Sequence, residues 1–319
     1  MARKKSPGVR LPRVAKGVWV KEYQFHGNFF PRPEGGYIHY LDEGSGPPVL
    51  LLHGNPTWSF MYRNLVKALA PHYRCLVPDH LGLGLSSRPK KKDYSFRLAD
   101  RVSDLSALIN SLNLTEPVHL VAHDWGGPIG LGWAGANPSL VKSITLMNTG
   151  LRIPAGYQPP TSLGIFMTGL WGQFLANRAN LFLSGILRYG SVRPIPPGLA
   201  EGYLAPYSHS LLRGAIGRFV KDIPLKPSHP SFGALKNADL AFDELVRPTL
   251  FIWGLQDFVF TPAFLEDFMA RRPEAQVLAL PRSGHLLLED EPDKISAALE
   301  DFFTKIPKAS GPEVLGHGQ

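Results

Sequence analysis

Short apolar runs punctuate this chain at intervals, too short for helices and too continuous for strands with one wet face. Residues 47–53, 73–78, 118–123, 143–147, 248–254 and 276–280 each read as a strand buried on both sides, the pattern of a parallel sheet. Between them apolar residues recur at helical spacing. Leu98, Val102, Leu105, Ile109 and Leu112 share one face over 96–112, and Ile295, Leu299, Phe302 and Ile306 share another in a helix that starts at Pro292. A further helix is predicted near 58–70, and residues 19–25 and 37–41 read as opening strands. Strands alternating with helices, with no internal repeat, predict an α/β protein whose mostly parallel sheet is covered on both faces.

The alternation stops between about 151 and 230, where Pro, Gly and large apolar residues dominate and no strand is evident. This stretch is expected to form a helical cap domain inserted into a main domain made of residues 17–150 and 231–307. Phe166, Met167, Leu170, Trp171, Phe174 and Leu175, followed by Leu181, Phe182 and Leu187, give its helices an apolar underside suited to uncharged ligands. At 319 residues and 44% hydrophobic content the chain can bury one large core. The net charge of +8 points toward nucleic acid only until it is located. Six cations lie before residue 17 with no acid among them, so residues 1–16 read as a basic, disordered arm and the rest is almost balanced. Residues 308–319 read as a flexible tail. A single cysteine, Cys75, excludes an intrachain disulfide and favours the cytoplasm. With no apolar run of membrane-spanning length and no signal-peptide core at the N-terminus, a soluble protein is expected, with neither nucleic acid nor membrane as partner.

The chemistry concentrates at strand ends. Residues 118–127, VHLVAHDWGG, run a strand into Gly126 and Gly127, which open a helix, with Pro128 tolerated in its first turn. An abrupt strand-to-helix turn lifts the residue at the bend above the sheet and pushes it toward positive φ, which Asp124 tolerates better than most side chains. An Asp at a helix start can be a simple cap. Here Asp257 follows the strand 248–254 and His285 follows 276–280 in the loop PRSGH, so nucleophile, acid and histidine occur in the chain order of a hydrolase triad. Asn55 follows the strand 47–53. Its amide and that of Trp125 are the predicted oxyanion donors, and both side chains carry uncharged N–H groups able to face a departing anion. His119 and His123 do not make a metal site, since four residues of strand span about 13 Å, and no metal is called for. Residues 81–85 lack the further glycine or Lys-Ser/Thr pair of a phosphate loop and read as a tight turn.

From about residue 17 to 306 the chain resembles the haloalkane dehalogenases of the α/β-hydrolase superfamily. The resemblance is carried by HGNPTW at 53–58, PDHLGLGLSSRP at 78–89, HDWGG at 123–127, GLQD at 254–257 and SGH at 283–285. It implies an α/β-hydrolase fold with an eight-stranded, mostly parallel sheet and a helical cap, Asn55 and Trp125 as halide-binding pair, and Asp257 as acid. One subfamily takes its acid from a Glu after the sixth strand, where this chain has Asn148, and Asn55 points to the third subfamily. A carboxylate with a reference pKa of about 3.9 is ionised at neutral pH and attacks saturated carbon without a base. Asp124 would displace halide and form an alkyl ester. His285, held by Asp257, would then activate water to release a primary alcohol, halide and a proton, with no cofactor. Phe166, Trp171 and Phe174 of the cap and Leu286 are expected to line the substrate, a small halogenated aliphatic compound. Members of the third subfamily often self-associate, so a homo-oligomer is also open. Three alternatives use the same scaffold. An epoxide hydrolase would need acidic tyrosines from among Tyr157, Tyr189, Tyr203 and Tyr207; an oxygenase resembling the luciferases would need an acid where this chain has Asn148, which cannot ionise; and a non-catalytic protein would leave the intact Asp124, Asp257 and His285 without a purpose.

Overall fold

The computed structural model describes residues 17–158, 161, 172, 174–176 and 180–307. Its strands fall where the continuous apolar runs meet turn residues. They are β1 (Gly27–Pro31), β2 (Tyr37–Glu43), β3 (Pro48–Leu52), β4 (Arg74–Pro78), β5 (Val118–His123), β6 (Val141–Met147), β7 (Thr249–Gly254) and β8 (Gln276–Leu280). All eight join one sheet in the order β1-β2-β4-β3-β5-β6-β7-β8. β2 is antiparallel to both β1 and β4, and β3 through β8 are parallel. The eight-stranded, mostly parallel sheet expected from the sequence is thus present. β3, β5 and β7 are buried at every position, as a central strand covered on two faces must be.

Helices α2 (Arg63–Leu69), α3 (Leu98–Ser111) and α4 (Gly126–Ala136) follow β3, β4 and β5. The predicted helix 96–112 starts later than its periodicity allows, because Phe96 takes φ 61° and Arg97 is the N-cap. Residues 19–25 depart from expectation. Val18–Glu22 forms a short helix, α1, and the edge strand begins only at Gly27. β-branched and aromatic residues suit a strand by composition, but Trp19 and Tyr23 are spaced by four. Helix geometry brings both onto Trp58, with ring centroids 6.3 and 4.9 Å away, and that burial decides the matter.

Among the described residues between β6 and β7 there is no strand. Helices α5 (Leu181–Tyr189), α6 (Pro197–Leu204), α7 (Gly214–Lys221) and α8 (Phe232–Glu244) fill that interval, and α8 packs against α4. After β7 come α9 (Pro262–Arg271), then α10 (Leu287–Asp290) and α11 (Pro292–Thr304) after β8. No helix among the described residues is long and apolar enough to cross a membrane.

The sheet order places the site. The chain leaves β3 toward β4 on one side and continues to β5 on the other, so β3 and β5 are neighbours at the point where the strand order reverses, with Leu52 opposite Ala122. Ligands of open α/β sheets bind at that point, outside the carboxyl ends of the strands. The residues just past β3, β5, β6, β7 and β8 therefore converge on one rim.

Candidate active site

Asp124 occupies the bend after β5 at φ 51°, the positive value expected of an elbow. Small residues make room for it. A Cβ on Gly54 would lie 2.1 Å from Asp124 Oδ1, and one on Gly126 would lie 2.1 Å from the Leu52 carbonyl oxygen. The backbone is fixed on both sides, since Asp124 N donates to Asn148 O at 3.1 Å and Thr149 Oγ1 donates to Asp124 O at 2.5 Å. On the side chain, Asn55 N donates to Oδ1 at 2.7 Å, and the Trp125 amide donates to the same carboxylate. Burial pushes this carboxyl up to about 6, against the opposing pull of His285 and the two amides.

His285 and Asp257 meet as their chain order predicts. His285 Nδ1 and Asp257 Oδ2 are 2.9 Å apart, both buried, which leaves Nε2 to face the cavity that His285 lines. Burial by itself lowers the imidazole pKa, but the charge and hydrogen bond of Asp257, with a contribution from Asp124, outweigh it and raise the value above 6.5. Phe260 stacks on the imidazole with centroids 5.9 Å apart, and His123 Nε2 bonds the His285 carbonyl at 2.9 Å.

Two residues that support this pair, one bonded to Asp257 and one to the loop that carries His285, had no signal in the sequence beyond their position. Asn148, just after β6, donates Nδ2 to Asp257 Oδ2 at 2.9 Å and to Gly254 O at 3.0 Å, and its Oδ1 accepts from Gly254 N at 2.8 Å. Where a Glu would supply the acid itself, the neutral amide holds the acid supplied by the next strand. Asp290 accepts from Gly284 N at 2.9 Å and from Val192 N and Arg193 N at 3.0 Å each, so it ties the histidine loop to the segment following α5.

Asn55, Asp124, Trp125 and His285 all open onto a cavity of about 360 Å³. Its walls are mainly apolar, with Leu151, Phe182, Ile186, Val220, Leu235 and Phe264 prominent. Asn55 Nδ2 gives one proton to Ile216 O at 3.2 Å, which fixes the amide with its nitrogen on that side. The expected lining is corrected at two positions. Phe174 is 49% exposed and does not line the cavity. Leu286 is fully buried but packs behind the histidine, where its amide donates to Gly190 O at 2.6 Å, because His285 itself takes the place facing the cavity. Phe166 and Trp171 lie outside the described residues. Of the four tyrosines an epoxide hydrolase would draw on, Tyr203 and Tyr207 are buried away from the cavity, and Tyr189, which borders it, is largely exposed to solvent. Tyr157 lines it, but burial pushes its hydroxyl up to about 12 and it donates to Val259 O at 2.6 Å, so it is a poor acid. No group of three His, Cys, Asp or Glu with metal-binding geometry occurs among the described residues.

Comparison with known proteins narrows the field. A family model described as the alpha/beta hydrolase fold matches residues 47–292. The cis-3-alkyl-4-alkyloxetan-2-one decarboxylase of Shewanella oneidensis is 40% identical over 285 residues, covering 88% of this chain and 89% of that protein. Haloalkane dehalogenase 2 of Mycobacterium tuberculosis is 31% identical over 283 residues, covering 88% and 96%. Among solved structures, the haloalkane dehalogenase DbeA of Bradyrhizobium elkani superposes with a TM-score of 0.81 at 27% identity, over 90% of this chain and 99% of that one.

Proposed function

The chain belongs to the α/β-hydrolase family, with haloalkane dehalogenases among its relatives, and we propose that it decarboxylates an oxetan-2-one bearing cis alkyl chains at C3 and C4. The observation that carries this reading is an ionisable carboxyl, Asp124, facing uncharged donors in an apolar cavity, on a chain 40% identical to a protein of that activity. Attack of Asp124 on C4 breaks the C4–O bond of the strained ring, and the bonding pair leaves as a carboxylate on C3. The Asn55 and Trp125 side chains receive this anion. The C3–carboxylate bond then breaks to release CO2, its electron pair forms the C3=C4 double bond, and the Asp124 ester bond returns its pair to the aspartate. No water, proton or oxidant is consumed. Inversion at C4 followed by anti elimination gives a cis alkene from a cis ring.

A second reading, hydrolytic dehalogenation of haloalkanes, is favoured by the His285–Asp257 pair at 2.9 Å, which water-dependent cleavage of an alkyl ester requires. Halide would leave into the same donors, and His285 would take a proton from the water that attacks the Asp124 carbonyl.

Supplying a cis-3,4-dialkyl oxetan-2-one in ¹⁸O-labelled water, beside 1-bromohexane, separates the two. The expected products from the lactone are cis alkene and unlabelled CO2 at the moment of release, over many turnovers. A β-hydroxy acid, or an untouched lactone with steady bromide release, rejects the decarboxylase reading.

The pH profiles should differ as well. Because burial holds Asp124 at about 6, acid leaves more of it protonated and unable to attack, so kcat/KM for either substrate should fall about tenfold per unit below that value. Lactone turnover should stay flat above it. Hydrolysis needs a neutral imidazole, whose pKa is raised, so haloalkane kcat should instead keep climbing beyond pH 6.5. Profiles of both substrates between pH 5 and 9 check this, and coincident alkaline limbs would count against a water-free reaction.

A further inference from the structure

Helix α7 touches both leaving-group donors from behind. Ile216 O accepts from Asn55, and Phe219 meets Trp125 edge-on with centroids 5.8 Å apart. Against these two rings lies Arg101 of α3. Its guanidinium carbon is 3.6 Å from the Phe219 centroid and 4.7 Å from that of Trp125. Arg101 is only 2% exposed. It donates Nη1 to Asp222 Oδ2 at 3.1 Å, just past α7, and Nη2 to Phe96 O at 2.6 Å. Phe96 presents that carbonyl from φ 61°, a region that costs a bulky residue strain. Arg101 Nε has no partner among the described residues. Asp222 also accepts from Arg97 Nη1 at 2.9 Å and Ser231 Oγ at 2.7 Å, so two cations share one carboxylate.

A charged group with an unpartnered N–H is an expensive core filler, and a backbone held in an unfavourable conformation to support it adds to the cost. Leucine or methionine would anchor α3 to α7 more cheaply. What a hydrocarbon does not supply is positive charge over the indole face. A cation there draws on the π system, sharpens Nε1–H as a donor and extends a weakly screened positive field into an apolar cavity.

We propose that Arg101 is a positioning residue that holds and electrostatically strengthens Trp125 for the departing anion, an inference that rests on reading Asn55 and Trp125 as leaving-group donors. Asp222 and Phe96 fix the guanidinium, and the same ion pair locks α7 in register with both donors.

The test is anion affinity measured apart from turnover, by tryptophan fluorescence during titration with bromide and with hexanoate. Arg101→Met takes one of its two cations from Asp222, so Arg101→Met/Asp222→Asn, whose amide oxygen can still accept from Ser231 and Arg97, serves as the folded companion. Both should weaken the two anions by about tenfold and lower lactone kcat by a similar factor, with KM within about twofold. Arg101→Lys should recover part of the anion affinity by restoring charge without the planar fork. A folded double variant that binds both anions as the wild type does, with only its melting temperature lowered, overturns the proposal. A wild-type protein that binds neither anion overturns the donor-pair reading beneath it.

Discussion

Asp124→Asn should abolish turnover of both lactone and bromoalkane while leaving the protein folded and more stable than the wild type. The amide has no carboxylate pair to attack C4 or a carbon bearing halogen, and loss of a covalent nucleophile costs about 10⁴-fold or more. Sterically the exchange is mild. Asn tolerates the positive φ of the elbow, and its oxygen can still accept from the Asn55 amide at the position Oδ1 now holds. The stability gain follows from linkage. A carboxyl raised to about 6 from an ordinary value of 3.8 is stabilising only in its protonated form, below the unfolded pKa, and that contribution is lost as pH rises through 6. At neutral pH the wild type therefore carries a buried charge that a neutral amide does not, worth up to about 3 kcal/mol at the conversion of 1.4 per pKa unit. Denaturant midpoints at pH 7.5 and 5 check the sign, since the advantage of Asn should shrink toward acid. Retention of more than about 1% activity, with peptide mass excluding deamidation, would falsify Asp124 as the nucleophile.

The carboxylate was legible because several independent features of the sequence agree on it. A buried strand, small residues after it, and acid and histidine at later strand ends are local patterns, and the parallel sheet turns them into proximity without further information. What failed to read locally depends on partners distant in sequence. Val18–Glu22 is a helix because Trp19 and Tyr23 reach Trp58, which nothing in their own neighbourhood announces. Arg101 falls three residues after Leu98 and four before Leu105, beside the apolar face of its helix, and its charge partner Asp222 lies 121 positions later. Asn148 is conspicuous in the sequence only as a missing acid, although it bonds the acid actually used. The sequence between 151 and 230 offers many large apolar residues with nothing local to mark which of them face a cavity, and Phe174, 49% exposed, does not.

The histidine separates the two chemistries most sharply, because one needs a base and the other does not. In His285→Gln the bromoalkane should react once. Asp124 still displaces bromide, but no imidazole takes the proton from water, so about one equivalent of bromide should appear in a burst and steady turnover should fall by about 10²- to 10⁴-fold. The stalled ester should appear as one alkyl group added to the Asp124 peptide. The lactone should behave differently, since its intermediate carries a carboxylate on the adjacent carbon and collapses with loss of CO2, returning Asp124 free. Turnover should persist within about tenfold of wild type, the deficit reflecting the lost imidazolium that helps keep the Asp124 carboxyl ionised. A lactone-derived adduct accumulating on Asp124 in this variant, with alkene formation stopped, would show that His285 takes part in the second step and that the proposed collapse is wrong. Continued bromide release beyond one equivalent would instead remove His285 from ester hydrolysis, and with it the case for the dehalogenase reading.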